Sequence, residues 1–251
     1  MSPDPSRAIA NAIAKELGAK PGKKLQAQTS GDVFESAVTS FLDLTFRALG
    51  HLRPGKWSIR SITGRKGLEL SGFDQYRHLQ AIALLAKQNP EIAVALGNDY
   101  LIAPDIVVGR SQEDDGEINR HRSLVGKESS KAAALRVRGE RREVLHASIS
   151  CKWTIRSDRA QNSRSEALNL IRNRKGRTPH IAVVTGEPLP TRISSLALGT
   201  GDIDCVYHFA LYELVKAVEA TKERQASELV SMMIEGDRLK DISDLPLDLA
   251  V

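Results

Sequence analysis

The order of apolar and β-branched residues predicts a mixed α/β protein, on three observations. Apolar residues recur at spacings of three and four over residues 8–17 and 33–49, which is the period of an amphipathic helix. The run HIAVVT at 180–185 is apolar throughout, as expected of a central strand buried on both faces. Strand-like and helix-like segments follow one another in turn from residue 144 onward. Such alternation is typical of α/β domains.

The first hundred residues are predicted to be mainly helical. Asp32 stands at the start of the 33–49 helix, and Glu35 follows three residues later at the spacing of a capping box. Pro90 divides a later helical segment, because proline disfavours a helical conformation in the residue before it. In chain order we predict helices at 8–17 and 33–49, a hairpin formed by 56–62 and 67–71, and helices at 74–88 and 90–97.

The rest of the chain carries most of the predicted strands. A β-rich run at 100–108 contains Pro104, so its strand is expected to begin at a bend or an edge. Residues 110–143 lack periodicity and hold nine basic and seven acidic residues, which indicates a long polar insertion. The remaining predictions are strands at 144–153, 180–185 and 203–209, helices at 163–174, 210–224 and 227–235, and a polar tail. Residues expected in the core include Ala167, Leu168, Leu170 and Ile171 of the 163–174 helix, together with His146 and His180 as satisfied histidines.

Composition excludes several classes of protein. The chain has 251 residues, of which 41% are hydrophobic and 27% charged, as in globular proteins with a sizeable core. It has no run of 18 apolar residues and no signal-peptide pattern, so neither a membrane span nor secretion is expected. Cys151 and Cys205 are too few for a disulfide scaffold or a structural zinc site, and they fit a reducing cytoplasm. The sequence also lacks zinc-hydrolase, serine-hydrolase, dinucleotide-binding and P-loop motifs.

Positive charge is concentrated in one segment. The whole chain has a net charge of +5, whereas residues 141–177 hold ten basic and three acidic residues, a net charge of +7. A concentrated basic field is what a surface that binds a polyanion requires. Charge alone favours the other interpretation, a solvated helix face, over a polyanion-binding surface.

Three residues at the ends of predicted elements could carry chemistry. Asp105 precedes one strand, Lys152 ends the next, and Glu166 falls on the helix that follows. Adjacent strands could bring Asp105 and Lys152 together at one edge of a sheet. Carboxylate oxygens suit Mg²⁺, and a nearby lysine can orient or deprotonate the water that attacks a phosphodiester. Aspartates and lysines occur in many strands, so spacing alone favours an ordinary structural role.

The segment after Lys152 points to nucleic acid. Arg156, Asp158 and Arg159 lie within four residues of one another. Arginine presents a fork that matches guanine O6 and N7, and aspartate accepts a hydrogen bond from cytosine N4. A loop with these side chains in a major groove would read G·C pairs. The alternative interpretation is an exposed ion-pair cluster, which would contribute less than about 1 kcal/mol to stability.

Together these motifs resemble a known family. The combination of PD at 104–105, SCK at 150–152 and RSEALNLIRNRKGR at 164–177 resembles the PD-(D/E)xK restriction endonucleases. Within them it is similar to the tetrameric, NgoMIV-like branch, which reads sites with a CCGG core. The likeness is strongest over HASISCKWTIRSDRAQNSRSE at 146–166. It implies an α/β PD-(D/E)xK nuclease core, with a mixed central sheet flanked by helices, in a single domain covering 1–251.

The resemblance also implies roles for individual residues. In this branch the acid two positions before the lysine is replaced, here by Ser150, and Glu166 supplies the missing carboxylate. The implied catalytic set is Asp105, Lys152, Glu166, Glu35 and Ser150, and the implied metal ligands are Asp105, Glu166 and the carbonyl of Cys151. Implied DNA contacts are Arg156, Asp158 and Arg159 at the inner CCGG bases, Gln28 and Arg192 at the outer G·C pair, and Ser2 in the minor groove.

The implied activity is that of a type II restriction endonuclease. It would cut double-stranded DNA at GCCGGC with two Mg²⁺ ions per active site and leave four-base 5′ overhangs. The implied assembly is a homotetramer, a dimer of dimers, in which the 110–143 insertion joins the subunits. A cognate DNA methyltransferase and a bacterial cytoplasmic location complete the expectation. Two alternatives remain open from the sequence: a sequence-specific DNA-binding protein without catalysis, and a repair-type nuclease of the same fold.

Overall fold

A mixed six-stranded sheet organises the protein. The computed structural model describes residues 4–20, 26–62, 69–97, 104–199 and 201–251, without the side chains of residues 27 and 157–160. Over these residues the strands lie side by side in chain order. They are β1 Trp57–Ser61, β2 Ile106–Ser111, β3 Glu143–Lys152, β4 His180–Thr185, β5 Cys205–His208 and β6 Leu239–Asp241.

The direction of the strands changes at β3. Strands β1, β2 and β3 pair antiparallel, whereas β3, β4, β5 and β6 pair parallel. Ile106 at the start of β2 therefore lies opposite Ile149, near the end of β3. This pairing puts the residue before β2 beside the last residues of β3. The expected sheet of mixed direction, flanked by helices, is confirmed.

Helices cover both faces of the sheet. Those in the described residues are α1 Pro5–Glu16, α2 Ala27–Ala48, α3 His78–Gln88, α4 Pro90–Leu96, α5 Asp115–Ile118, α6 Ser157–Asn173, α7 Pro190–Ala197, α8 Leu211–Thr221, α9 Arg224–Glu235 and α10 Leu245–Asp248. One cluster of buried side chains joins one face of the sheet to α1, α3, α6, α7, α8 and α9. A second cluster joins the opposite face to α2 and α10. No helix in the described ranges is long and apolar enough to cross a membrane.

Alternation along the strands separates the two clusters. Ile181 and Val183 of β4 belong to the first cluster, and Ala182 and Val184 belong to the second. Helix α2 contributes residues spaced by four, which form one stripe along it: Phe34, Val38, Leu42 and Phe46. The stripe fixes α2 across the second face, so the residues beside Phe34 lie over the end of the sheet where β2 begins and β3 ends.

Helix α2 starts earlier than the sequence predicted. It begins at Ala27, so Asp32 lies inside the helix and the expected capping box is wrong. Asp32 instead accepts a hydrogen bond from Gln28 Nε2 at 3.0 Å, one turn earlier. Gln26 occupies the N-cap position without a side-chain cap, and the helix is held by its buried stripe. The division of α3 from α4 before Pro90 is confirmed.

The predicted hairpin is also wrong. Strand β1 pairs with β2, fifty residues away, and residues Glu69–Gly72 form a 3₁₀ helix with Leu70 fully buried. Residues 67–68 and 100–103 of the predicted strands lie outside the described residues. A short alternating run does not determine which strand it pairs with, because its apolar face can be buried equally well beside several different strands.

The C-terminal segment is not a polar tail. It adds β6 to the sheet and then α10, and Leu239, Leu245 and Leu249 are buried. Its apolar residues are separated by charged ones, which hides a strand of three residues from pattern analysis. The carbonyl of Leu249 bonds His146 Nε2 at 2.7 Å, so His146 is a satisfied core residue as predicted.

Two core expectations fail. His180 Nε2 is buried without a hydrogen-bond partner among the described residues, so His180 is not satisfied. On α6, Ala167 and Leu170 are buried as predicted and Ile171 packs against them, whereas Leu168 is exposed. The helix presents a narrower apolar stripe to the sheet than its sequence suggested.

The polar insertion is ordered by ion pairs. Strand β2 extends to Ser111 and β3 begins at Glu143, so the insertion proper is 112–142. Arg136 makes a bidentate pair with Asp115 at 2.6 and 2.7 Å. Gln112 is buried and donates to the carbonyl of Ala134 at 2.9 Å. Charged groups and backbone carbonyls therefore hold this segment against the end of the sheet.

Candidate active site

The change of strand direction brings Asp105 to Lys152. Asp105 follows the buried Pro104 and precedes β2, and Lys152 is the last residue of β3. Because β2 and β3 are antiparallel, these two positions lie at the same end of the sheet. Lys152 Nζ donates to Asp105 Oδ2 at 2.8 Å, and the backbone N–H of Cys151 donates to the same oxygen at 2.6 Å. The sequence prediction that these side chains meet is confirmed.

Glu166 joins this group from α6. Ser150 lies two residues before Lys152, and its Oγ donates to Glu166 Oε2 at 3.1 Å. The other carboxyl oxygen, Oε1, is buried and has no hydrogen-bond partner among the described residues. Ser150, which the resemblance predicts in place of an acid, thus orients a carboxyl group that comes from the helix.

Burial controls the charge state of the acids. Removal from water raises the pKa of Glu166 to about 7, and the charge of Lys152 opposes that shift. Burial likewise raises the pKa of Glu35 on α2, while a hydrogen bond from Ser61 lowers it. Asp105 contributes to raising both pKa values, so the three carboxyl groups influence one another. An added cation here would be stabilised by all three.

An open cleft of about 220 Å³ lies over Glu35, Asp105 and Lys152. Its walls come from α2, from the ends of β2 and β3, and from α6. The residues lining it are Gln28, Gly31, Asp32, Glu35, Asp105, Cys151, Lys152 and Asn162. Gln28 and Glu35, which are far from Lys152 in the sequence, therefore share one cleft with it.

The basic segment does not form the loop that the sequence predicted. Helix α6 starts at Ser157, so Arg156 is its N-cap residue, and Asp158 and Arg159 lie in its first turn. Arg156 is exposed and forms no ion pair with any described residue. The side chains of Asp158 and Arg159 lie outside the described residues, as does Ser2.

Arg192 lies on α7, with its side chain half exposed, and its Nη1 is 3.4 Å from Glu187 Oε1. Glu187 was missed by sequence analysis, although it is fully buried. An acidic residue two positions after an apolar strand, within TGEPLP, was the available signal. Buried carboxylates are rare unless they are hydrogen-bonded, so their contacts need an explanation.

The donor set fits a divalent cation with few protein ligands. Among the described residues no group of three histidine, cysteine or acidic side chains could enclose a metal ion. Mg²⁺ commonly uses one or two carboxylates and fills its other positions with water and substrate phosphate oxygens. Asp105 and the unpartnered Oε1 of Glu166 offer such a pair.

Comparison with known proteins shows which family the chain belongs to. The model of the NgoMIV restriction enzyme family matches residues 1–251 of the chain. The type II restriction enzyme NgoMIV from Neisseria gonorrhoeae is 54% identical over 244 residues, which cover 97% of this chain and 85% of that protein. The protein is therefore a type II restriction endonuclease, a deoxyribonuclease that cuts DNA at specific sites. The chain belongs to the NgoMIV restriction enzyme family.

Proposed function

We propose that this endonuclease recognises the palindrome GCCGGC and cuts both strands to leave four-base 5′ overhangs, with Mg²⁺ as its cofactor. The observation that carries the proposal is the convergence of Asp105, Lys152 and Glu166 at one end of the sheet, beside the N-terminus of α6. Catalytic and base-reading groups are then only a few residues apart in the chain. Membership of the restriction enzyme family argues against both alternatives, a non-cleaving DNA-binding protein and a repair-type nuclease.

Each catalytic residue is assigned a separate role in the hydrolysis. The ammonium group of Lys152, held by Asp105 at 2.8 Å, would orient the water that attacks the phosphorus. Ser150 would orient the Glu166 carboxyl group through its hydrogen bond to Oε2. Glu35, whose pKa is raised by burial, would add a third acid at the wall formed by α2. Hydrolysis would break the bond to the 3′-oxygen and leave a 5′-phosphate.

Asp105, Glu166 and the carbonyl of Cys151 are the residues that would hold two Mg²⁺ ions. When bound, the ions would stabilise negative charge on the attacking and leaving oxygens. The raised pKa of Glu166 supports this assignment, since a neighbouring cation favours the ionised carboxylate that the protein alone penalises.

Base reading is assigned to the residues around the cleft. The exposed Arg156, which has no ion pair with a described residue, would contact an inner guanine, with Asp158 and Arg159 in the first turn of the helix that it caps. Arg192 and Gln28 would read the outer G·C pair. Ser2 would lie in the minor groove.

A digestion series tests the recognition site. One plasmid carries GCCGGC, a second carries the same core with a changed outer pair, and a third has no CCGG core. We expect cutting of the first alone, with Mg²⁺ and not with EDTA, and sequencing of the ends should give the four-base 5′ overhang. Equal cutting of the first two plasmids would overturn the outer-pair assignment. Cutting of the third would overturn the CCGG core.

The role of Lys152 has its own test. Lys152→Ala should abolish cleavage while DNA binding is retained, because the lysine orients water and does not hold the duplex. Lys216→Ala, on the exposed face of α8, is the matched control and should cut normally. Cleavage by Lys152→Ala at the wild-type rate would remove the lysine from the catalytic set.

The proposed assembly is a homotetramer, a dimer of dimers. Two-fold symmetry would present one active site to each half of a palindrome, and the ordered 112–142 insertion would join two dimers into a tetramer. Sedimentation velocity should give a tetramer, and an insertion variant such as Arg136→Ala should shift it toward dimer. A wild-type monomer or dimer would overturn this part. We also propose that the host makes a cognate methyltransferase that protects the same sequence. The proposed location of the endonuclease is the cytoplasm of a bacterium.

A further inference from the structure

Three polar residues at the end of the parallel strands are completely buried. Thr185 ends β4, Glu187 follows two residues later, and His208 ends β5, all with no exposed surface. They lie on the side of the sheet where β3 ends with Lys152, because β3, β4 and β5 are parallel. A polar cluster that water does not reach must satisfy its own hydrogen bonds.

The Glu187 carboxylate links two segments that the proposed function assigns to base reading. Its Oε2 accepts the backbone N–H of Ile155 at 2.8 Å, the residue directly before Arg156. Its Oε1 accepts the N–H of Leu189 at 3.2 Å and lies 3.4 Å from Arg192 Nη1. One carboxyl group therefore holds the entry to α6 with one oxygen and the start of α7 with the other.

The backbone of Glu187 continues the link to the catalytic strand. Its N–H donates to Thr185 Oγ1 at 3.1 Å, and Thr185 Oγ1 donates to the carbonyl of Lys152 at 2.7 Å. Its own carbonyl accepts from His208 Nε2 at 3.2 Å. A continuous set of hydrogen bonds thus connects the backbone carbonyl of Lys152 with the segments that carry Arg156 and Arg192.

We propose that Glu187 is a positioning residue that sets the placement of Arg156 and Arg192 relative to Lys152, so that site discrimination depends on it. The inference rests on the proposed roles of those two arginines. Capping α7 would require only the bond to Leu189. The bond to Ile155 and the contact with Arg192 have no such local explanation. A carboxylate with this many charge-assisted hydrogen bonds also fixes geometry more firmly than an amide.

The test compares Glu187→Gln with Asp241→Asn. Asp241 is the matched control, because it is also a buried carboxylate that accepts backbone N–H groups, from Leu211 and Ser243 at 3.0 Å each, away from the cleft. For each protein, kcat/KM is measured on GCCGGC and on a site with a changed outer pair. We expect Glu187→Gln to reduce the ratio of the two values at least tenfold. Asp241→Asn should lower the melting temperature and leave the ratio unchanged.

Two further variants keep the outcome decisive. Glu187→Asp serves if Glu187→Gln fails to fold, because it retains the charge and withdraws it from Ile155 or Arg192. Glu187→Gln combined with Arg192→Ala should discriminate no worse at the outer pair than Arg192→Ala alone. An unchanged ratio in both Glu187 variants would overturn the inference while Arg192→Ala remains impaired. If Arg192→Ala itself keeps the wild-type ratio, the proposed reading of the outer pair fails instead.

A separate observation concerns three arginines at the other end of the strands. A cavity of about 190 Å³ is lined by Arg53, Arg110 and Arg177, and by Trp57, Ala134, Leu135, Val144, Leu145, His146 and Thr178. The Cζ atoms of Arg53 and Arg110 lie 5.7 and 5.5 Å from the centre of the Trp57 ring. Arg110 is five residues along β2 from Asp105, which at about 3.3 Å per residue separates the two by roughly 17 Å. This cavity is therefore distinct from the catalytic cleft.

Two of the three arginines have no acidic partner among the residues that the structure describes. Arg110 and Arg177 form no hydrogen bond or ion pair with any residue that the structure describes, and the Nε atoms of Arg53 and Arg110 are buried without a partner. Arg53 uses Nη1 on the carbonyls of Ala250 and Val251. Burial and the charges of Arg177 and Arg110 lower the pKa of Arg53. Like charges gathered without an acid cost stability unless an anion binds.

We infer that this cavity binds a phosphate-type oxyanion. The probe is inorganic phosphate, titrated against sodium chloride at equal ionic strength, with fluorescence as the readout. Trp153→Phe leaves Trp57 as the sole tryptophan, since the chain has two. We expect a saturable change with phosphate that is lost when Arg110→Gln or Arg177→Gln is added and kept with Arg224→Gln on α9. A response equal to that of chloride, or retained in both cavity variants, would overturn the inference; Arg110→Lys replaces Arg110→Gln if the latter does not fold.

Discussion

Trp153, the residue after Lys152, is held in place by its neighbours on several sides. Its ring centre lies 5.2 Å from that of Phe34 and 5.5 Å from that of Phe209. A Cβ added to Gly186 would come within 2.5 Å of Trp153 Cε3, closer than any real contact allows. Gly186 is therefore required by a close approach, and its backbone also donates to the carbonyl of Lys152 at 3.3 Å.

Gly186→Ala should consequently disturb both stability and cleavage. The methyl group must displace Trp153 or the turn after β4, and overpacking of this kind costs about 1–3 kcal/mol. We expect urea denaturation to show a loss in that range, with a lower kcat because Lys152 shares the strained backbone. Gly116→Ala is the control: the added methyl group meets nothing within 4 Å, so stability should be unchanged or slightly higher. Wild-type stability in Gly186→Ala would show that the ring moves freely.

At the scale of single residues, sequence analysis predicted a set of side chains that the structure brings together, and it missed Glu187 beside them. Asp105, Lys152, Glu166 and Ser150 were predicted from a short motif, because phosphodiester chemistry restricts which residue types can stand there. Glu187 was missed because its value depends on N–H groups from two other segments, which no local pattern reveals. The catalytic, metal-binding and base-reading roles of these residues all remain predictions.

Arg164 ties helix α6 to α7. Its guanidinium group donates to the carbonyls of Ser195, Leu196 and Leu198 at the end of α7, and pairs with the buried Asp202 at 2.8 Å. These carbonyls have no partners within their own helix, because the last turn of a helix leaves them free. Arg164 satisfies them and fixes α7 beside α6, the helix that carries Glu166.

Arg164→Met should therefore loosen α7 and destabilise the protein. Removal of one partner from a buried ion pair leaves an uncompensated charge on Asp202, which costs about 3 kcal/mol. Chemical denaturation should show that loss, and hydrogen exchange should rise in α7 first. Arg172→Met on the exposed side of α6 is the control and should change stability little. An Arg164→Met protein as stable as the control would mean that water replaces the guanidinium group without cost.

The boundaries of elements were less predictable than their existence. Helices α2 and α6 each start six residues before their predicted starts. In both cases the first turns are polar, so the apolar period begins late. Strand β6 was missed because three residues are too few to show a detectable alternation. Their strand conformation depends on pairing with β5. By contrast β4 was predicted to the residue, since a strand buried on both faces is apolar throughout.

At the scale of the whole molecule, the buried histidines and the buried acids respond to pH in opposite directions. Burial lowers the pKa of His208 and of His146 to about 4 each, whereas burial raises that of Glu166 to about 7. A depressed histidine pKa means that the unfolded chain binds more protons between pH 6.5 and 4, so stability falls as pH falls. The raised pKa of Glu166 has the opposite effect, because it makes the folded protein more stable as pH falls. The contribution of one histidine to the pH dependence of stability must therefore be separated by substituting that histidine.

His208 is the group to isolate, because its neutral form is fixed by two contacts. Its Nδ1 accepts the N–H of Ala210 at 3.1 Å, so a proton there would break that bond, while Nε2 faces the carbonyl of Glu187. The shift from 6.5 to about 4 corresponds to about 3 kcal/mol lost between those pH values. His208→Gln should abolish this part of the pH dependence, so urea denaturation at pH 7.5 and 4.5 should show a smaller drop than in wild type. The exposed His51→Gln should keep the wild-type drop. Equal drops in all three proteins would mean that His208 is protonated in the fold without penalty.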